Sequence, residues 1–195
     1  MTAAAVVKIG GSLSESDAAA TLARRLVAHA PRRLVLVAGG GNFAESVRFA
    51  QQRHVFDDYA AHHMALLAMH MSAIMLAASA PRLVVAETRE EFASAWQREL
   101  TPVWAPERMA LAAPEIPPSW AVTSDSLAAW LAARISAARL VLVKACAIAP
   151  HATRDARALA AAGVVDASFP RFVGAASFDW RVLSDLDAVV EAIGE

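Results

Sequence analysis

The sequence predicts an α/β fold, a three-layer α-β-α sandwich with an open, mainly parallel central sheet. Short apolar runs that stop at glycines, such as Ala3–Ile9 and Leu34–Val37, read as buried strands. Longer alanine-rich stretches lie between these runs and carry helix-capping residues at their starts. Strands that alternate with helices imply a parallel sheet covered on both faces. The chain has 195 residues, 57% hydrophobic and 19% charged, which suits a single domain over 1–195 and argues against disorder.

In chain order, Ala3–Ile9 is the first strand, and Ser14 or Ser16 caps a helix to about His29. Leu34–Val37 is the second strand. Gly39-Gly40-Gly41 follows it, and Asn42 caps a helix to about His54. Asp57 opens a long uncharged helix that ends before Pro81, and Leu83–Ala86 is a third strand. Thr88 with Glu91 three residues on forms a capping box. The proline-rich section Leu100–Trp120 reads as loop with short strands at Val103-Trp104 and Met109–Ala112. Thr123 or Ser124 caps a helix to about Ala137, and Arg139–Lys144 is another strand. An alanine-rich turn of helix follows, then strand-like pieces at Gly163–Asp166 and Phe178–Leu183, and a last helix over Asp185–Ile193.

Charge and cysteine usage narrow the function classes. The net charge is -1 and no long basic run occurs, which points away from nucleic acid as a partner. The single cysteine, Cys146, has no internal partner and fits a reducing cytoplasm; it reads as a core thiol. The start lacks a signal-peptide layout, since glycines follow Lys8 at once. Tyr59–Pro81 lacks Asp, Glu, Lys and Arg, but three histidines make a buried or interface helix the better reading than a membrane span. No membrane partner is expected.

Three constellations bear chemistry. In Lys8-Ile9-Gly10-Gly11-Ser12, a lysine at a strand end supplies fixed positive charge, and two glycines let backbone N–H groups approach phosphate. The same residues also read as a plain strand-to-loop turn. Gly39-Gly40-Gly41-Asn42 lies between a strand and a helix, where N–H groups form an anion site; a simple flexible turn is the alternative. Asp125 in Thr123-Ser124-Asp125-Ser126 is either a capping charge or, if the strand order brings it near Lys8, the carboxylate that aims that lysine. His63 and His70, seven apart, share a helix face but read better as satisfied core or interface histidines than as metal ligands.

These three motifs, in this order and spacing, resemble the amino acid kinase superfamily, which includes acetylglutamate, aspartate, uridylate and isopentenyl phosphate kinases. A closer resemblance is to a small branch, on Asp57-Asp58-Tyr59-Ala60-Ala61-His62-His63-Met64-Ala65 and Val164-Val165-Asp166-Ala167-Ser168-Phe169-Pro170. That branch holds the (aminomethyl)furanmethanol phosphate kinase of methanofuran biosynthesis and its methylotroph relatives in one-carbon metabolism. The resemblance implies ATP-dependent phosphoryl transfer, with Mg2+, to a small-molecule acceptor bearing phosphate or carboxylate. It implies Lys8 and Asp125 as catalytic residues. It places Gly10, Gly11, Ser12 and Lys144 on the nucleotide, and Gly39, Gly40, Gly41, Asn42, His62, Asp166 and Arg171 on the acceptor side. No protein-held metal is expected. It further implies a homo-oligomer, a dimer or higher.

The sequence departs from the superfamily at one wall. Where many relatives carry Thr/Ser-Asp-Val-Asp-Gly after the later strand, this chain reads Lys144-Ala145-Cys146-Ala147. It also has no Gly-Gly-Met…Lys segment, so Lys144 or Arg171 is the expected substitute charge. A catalytically degenerate ligand-binding or storage protein on the same fold is the second reading.

Overall fold

The computed structural model describes residues 4–15, 17–29, 33–148 and 154–194. Six parallel strands form one sheet: β1 (Ala4–Ile9), β2 (Leu34–Ala38), β3 (Leu83–Ala86), β4 (Thr101–Trp104), β5 (Ala137–Val143) and β6 (Asp179–Leu183), in the order β3-β4-β2-β1-β5-β6. The helices are α1 (Ala18–His29), α2 (Gly41–His54), α3 (Asp58–Ala77), α4 (Arg89–Gln97), α5 (Glu107–Leu111), α6 (Ser124–Arg134), α7 (Ala156–Ala161), α8 (Phe169–Val173) and α9 (Leu186–Gly194), with a 3-10 turn over Gly11–Glu15. The predicted α/β sandwich with its parallel sheet is the fold observed.

Alternation along the strands sorts side chains into two cores. On β1, Ala4 and Val6 join Leu140 and Leu142 of β5 beneath α6 and α8. Ala5, Val7 and Ile9 join Val141 and Val143 beneath α1 and α9. The same parity puts Lys8 on the α6 face. It puts Lys144, two residues past Leu142, on that face too. The register supports this, since Lys8 is paired with Val37 on one side and Leu142 on the other. The ends of β1, β2 and β5 therefore finish side by side, and Gly10 N–H donates to Val143 O while Gly39 N–H donates to Ile9 O.

Several local expectations change. Met109–Ala112 is not a strand: α5 runs over it, with Pro106 leading in at φ -79, a geometry ready for a first helical turn. Gly163–Asp166 is not a strand either. Gly163, at φ +68, closes α7, with its N–H bonded to Ala160 O and the Val164 N–H to Leu159 O. This is a glycine C-terminal cap, and it drops Val165 into the core rather than onto a sheet edge. Asn42 does not cap α2. Gly40 holds the cap position without a side chain, and Asn42 lies in the first turn. Cys146 is exposed, not a core thiol, because it falls in the segment beyond β5. The Ser14 or Ser16 cap falls on side chains outside the described residues. Thr88 accepts from Glu91 N–H at 3.2 Å as expected, but Glu91 returns its bond to Glu87 N–H at 2.7 Å.

α3 is long and apolar enough to cross a membrane by length and composition. In this structure one of its faces, including Ala61, His62, Leu66, Met69, Ala73 and Leu76, is buried. Its helix start is as read: Asp57 accepts from Ala60 N–H at 2.8 Å.

Candidate phosphoryl-transfer site

At the carboxyl ends of β1 and β5, three charged side chains meet. Lys8 Nζ lies 2.8 Å from Asp125 Oδ1, and Lys144 Nζ lies 2.7 Å from Asp125 Oδ2. Lys8 and Asp125 are each 3% exposed. The Lys144 contact is a hydrogen bond. The Lys8 contact is a close buried ion pair, and Asp125 Oδ1 has no further hydrogen-bond partner among the described residues. Two cations on one carboxylate leave one net positive charge in a buried setting, which is costly unless an anion arrives.

Each member is placed by its element. Lys8 and Lys144 follow from strand parity. Asp125 sits in the first turn of α6, where the helix dipole favours a carboxylate. Burial works to raise the Asp125 carboxyl, but the charges of Lys8 and Lys144 and the Lys144 hydrogen bond outweigh it and hold it below the ordinary carboxylate value. Lys144 moves down from its ordinary value of 10.5, through burial first and repulsion by Lys8 second, against the pull of Asp125 and, more weakly, of Asp166.

Asp166 explains why α6 is held so firmly. Its Oδ2 accepts from Thr123 N–H at 3.0 Å, Thr123 Oγ1 at 2.9 Å and Ser126 N–H at 2.9 Å. Its Oδ1 accepts from Ser126 Oγ at 2.5 Å and Ser168 N–H at 3.1 Å. A carboxylate from another part of the chain thus caps α6 in place of the Thr123 side chain, which makes no cap bond of its own. Asp166 stands behind the site as the support of Asp125, with both oxygens engaged.

The two glycine segments touch. A Cβ on Gly11 would lie 2.6 Å from Gly41 N, and one on Gly39 would lie 2.7 Å from Gly11 N. Only residues without side chains permit this approach, and Gly41 also has φ +49. A cavity of about 330 Å³ opens beside them, lined by Gly11, Ser12, Gly39, Gly40, Gly41, Asn42 and His62. Its apolar wall includes Leu66, Met69 and Leu127. His62 is buried, and burial first, then the charge of His63, push its pKa below the ordinary 6.5, so it lines the cavity as a neutral group at pH 7.

The sequence-derived candidates therefore fall into three groups. Lys8, Asp125, Lys144 and Gly10 gather at the strand ends. Gly11, Ser12, Gly39, Gly40, Gly41, Asn42 and His62 surround the cavity. Asp166 lies behind α6, and Arg171 is exposed on α8 with its guanidinium 5.6 Å over the Phe172 ring. Sequence reasoning missed Arg48 and Trp120 in the cavity wall and gave Thr123 and Ser124 only as capping residues. A signal existed for Arg48: Ala44, Glu45 and Arg48 stand three, four and seven residues after Gly41, on one helix face. Trp120 gave none, because the loop before α6 carries no periodicity.

His63 Nε2 lies 2.9 Å from Glu107 Oε1, and His70 Nδ1 lies 3.9 Å from Glu107 Oε2. These histidines face α5 and are partnered there, away from the cavity. Among the described residues no group of three His, Cys, Asp or Glu side chains is placed to hold a metal ion. The carboxylate nearest the site, Asp125, is already held by two lysines. Two lysines on one engaged carboxylate beside glycine turns fit a phosphate group.

Comparison with known proteins places this geometry. The model of the amino acid kinase family matches residues 4–147. No curated protein matches the sequence. Among solved structures, the uridylate kinase of Archaeoglobus fulgidus is similar at a TM-score of 0.74 and 16% identity, over 97% of this chain and 95% of that one. The UMP kinase of Ureaplasma parvum gives 0.70 and 16%, over 100% and 96%. The UMP kinase of Bacillus anthracis gives 0.67 and 11%, over 98% and 92%. At such identities these likenesses concern the fold.

Proposed function

The chain belongs to the amino acid kinase family, and from that membership and its buried Lys8–Asp125–Lys144 centre we propose an ATP-dependent small-molecule kinase that transfers the γ-phosphoryl group to an anionic acceptor. The observation that carries the proposal is one buried carboxylate between two lysines, with net positive charge, at the strand ends beside the glycine turns. Family membership supports ATP as donor, with Mg2+ typical.

Phosphoryl transfer needs positioning and charge neutralisation more than covalent help from the protein. Lys8 bridges the phosphoryl group in flight, and Asp125 fixes the position of Lys8 through their ion pair. Gly10 and Gly11 offer backbone N–H groups on the nucleotide side. Lys144 supplies the second phosphate-facing charge at the wall where relatives carry Asp residues. The turn Gly39–Gly41, with Asn42 and His62, receives the acceptor. An acceptor oxygen attacks the γ-phosphorus and the bond to the β,γ-bridging oxygen breaks, releasing ADP. A phosphate or carboxylate acceptor is already ionised at pH 7, so no general base is required.

At the finer level, the helix at Asp57–Ala65 and the Val164–Pro170 segment favour a furan-methyl phosphate acceptor in one-carbon carrier biosynthesis, and the fold favours a cytoplasmic protein. The apolar outer face of α3 favours a homo-oligomer. ADP release from Mg-ATP across a panel of phosphate and carboxylate acceptors tests the proposal, with Lys8→Ala expected to abolish it. A folded protein that turns over none of the panel would sink it.

One observation favours a second reading, a ligand-binding protein without turnover: Lys144-Ala145-Cys146-Ala147 has no acidic residue on the nucleotide wall. In that case ATP or another anion raises the melting temperature, yet no acceptor yields ADP.

A further inference from the structure

The cavity beside the glycine turn contains a cation that the phosphoryl-transfer centre does not use. Arg48 lies on α2, seven residues and thus about 10 Å along the helix from Gly41. Its guanidinium sits 4.0 Å from the centre of the Trp120 ring. The indole is fixed from its other edge: Trp120 Nε1 donates to Gln51 Oε1 at 2.6 Å, and Gln51 Nε2 donates to Asp58 Oδ1 at 2.9 Å. A platform anchored to the start of α3 thus holds the guanidinium over the indole by cation–π attraction and narrows its freedom. Glu45 is the acidic neighbour, at 3.6 Å from Arg48 Nε, but its side chain is 68% exposed and the pair is beyond hydrogen-bond distance. Arg48 makes no hydrogen bond among the described residues, so its planar donor edge remains for a ligand.

We infer that Arg48, braced on Trp120, is a specificity-determining residue that binds a second anionic group of the acceptor, remote from the group that receives the phosphoryl. The acceptor is then a small molecule with two anionic groups joined by a short apolar body that lies on Leu66, Met69 and Leu127. The placement sets the argument: Lys8 and the glycine turn serve the reacting end, and the side chain of Arg48, rooted two helical turns along α2 and lining the same cavity, serves the other. This inference rests on reading the cavity as the acceptor side.

Two probes with the same body decide it. Phenyl phosphate carries one anionic group, and 4-carboxyphenyl phosphate adds a second across the ring. Calorimetric titration of the full chain is expected to show the second compound binding at least tenfold tighter. Arg48→Met is expected to erase that preference while leaving phenyl phosphate within threefold, and Arg48→Lys, which keeps charge and loses the planar stack, to keep part of it. Equal affinities in the unaltered protein, binding of neither probe at millimolar concentration, or a preference that survives in a folded Arg48→Met variant overturns the inference. Mg-ATP titrated into the same samples separates the two claims. ATP binding without the preference defeats the clamp alone. The preference without ATP binding defeats the kinase reading alone.

Discussion

Lys144 carries its charge at a cost. Its pKa is depressed, so the charged form is less favourable in the folded protein than in the unfolded chain. That cost is fully present below the folded pKa and is relieved as pH rises through it toward 10.5. Lys144→Met is therefore expected to match or exceed the parent in thermal stability at pH 7, and to bind Mg-ATP at least tenfold more weakly. Functional residues that trade stability for charge behave this way. The same depression predicts that nucleotide binding weakens at alkaline pH before an ordinary lysine would titrate. Lys144→Arg moves that limb upward, because a guanidinium stays charged. An unchanged pH profile in Lys144→Arg counts against the role. Asp125 has the opposite sign: its depressed pKa contributes stability present above the ordinary 3.8 and lost as pH falls through its folded value.

At the scale of elements, the ends of helices and strands decide the site. Asp166 fixes the start of α6, and with it Asp125, by binding its first turn through both oxygens. Asp166→Ala is expected to lower stability by about 2–3 kcal/mol, as loss of charged hydrogen bonds does, and to lower turnover more than nucleotide affinity. Chemical denaturation and kinetics on one preparation check both. Gly11→Ala must push Gly11 away from the Gly41 backbone, since the added Cβ would sit 2.6 Å from Gly41 N. Overpacking of this kind costs about 1–3 kcal/mol, and here it also separates the two glycine turns. A thermal melt that is unchanged in Gly11→Ala refutes the close approach.

Legibility in the sequence follows the same line. Lys8, Asp125 and the glycine runs were readable because strand ends and a helix start are local events with their own chemistry. Strand order was not, and the meeting of Lys8 with Asp125 depended on it. Met109–Ala112 reads as a strand because short apolar pieces look alike as strand or helix until a partner strand is present, and Gly163–Asp166 does because its valines mask the turn that closes α7. Asp166 looked like a ligand-facing acid; what it faces is set by contacts more than forty positions back in the chain. Trp120 was invisible for the same reason, while Arg48 could be read from its spacing to Gly41.

For the whole molecule, the outer face of α2 and α3 is the unfinished surface. Phe49, Tyr59, Leu67, Met71, Ile74 and Met75 are exposed large apolar side chains on these two helices. A contiguous apolar patch of that kind is what an association surface presents. Light scattering is expected to give a multiple of the 20.6 kDa chain mass, and Met71→Glu with Ile74→Lys to reduce it to one. A monomer of the unaltered chain at micromolar concentration speaks against the assembly. α3 also supplies His62, Leu66 and Met69 to the cavity, so if the chain associates through this face, dilution to the monomer is expected to weaken acceptor binding.

The central claim is that the buried lysines grip phosphate. Its most direct measurement is calorimetric titration of Mg-ATP into the unaltered protein and into Lys8→Met. The Lys8–Asp125–Lys144 centre predicts saturable binding in the first and a loss of about 10²–10³ in affinity in the second, in line with removing one preorganised charge. Equal affinity in the two proteins, with both folded, would contradict it.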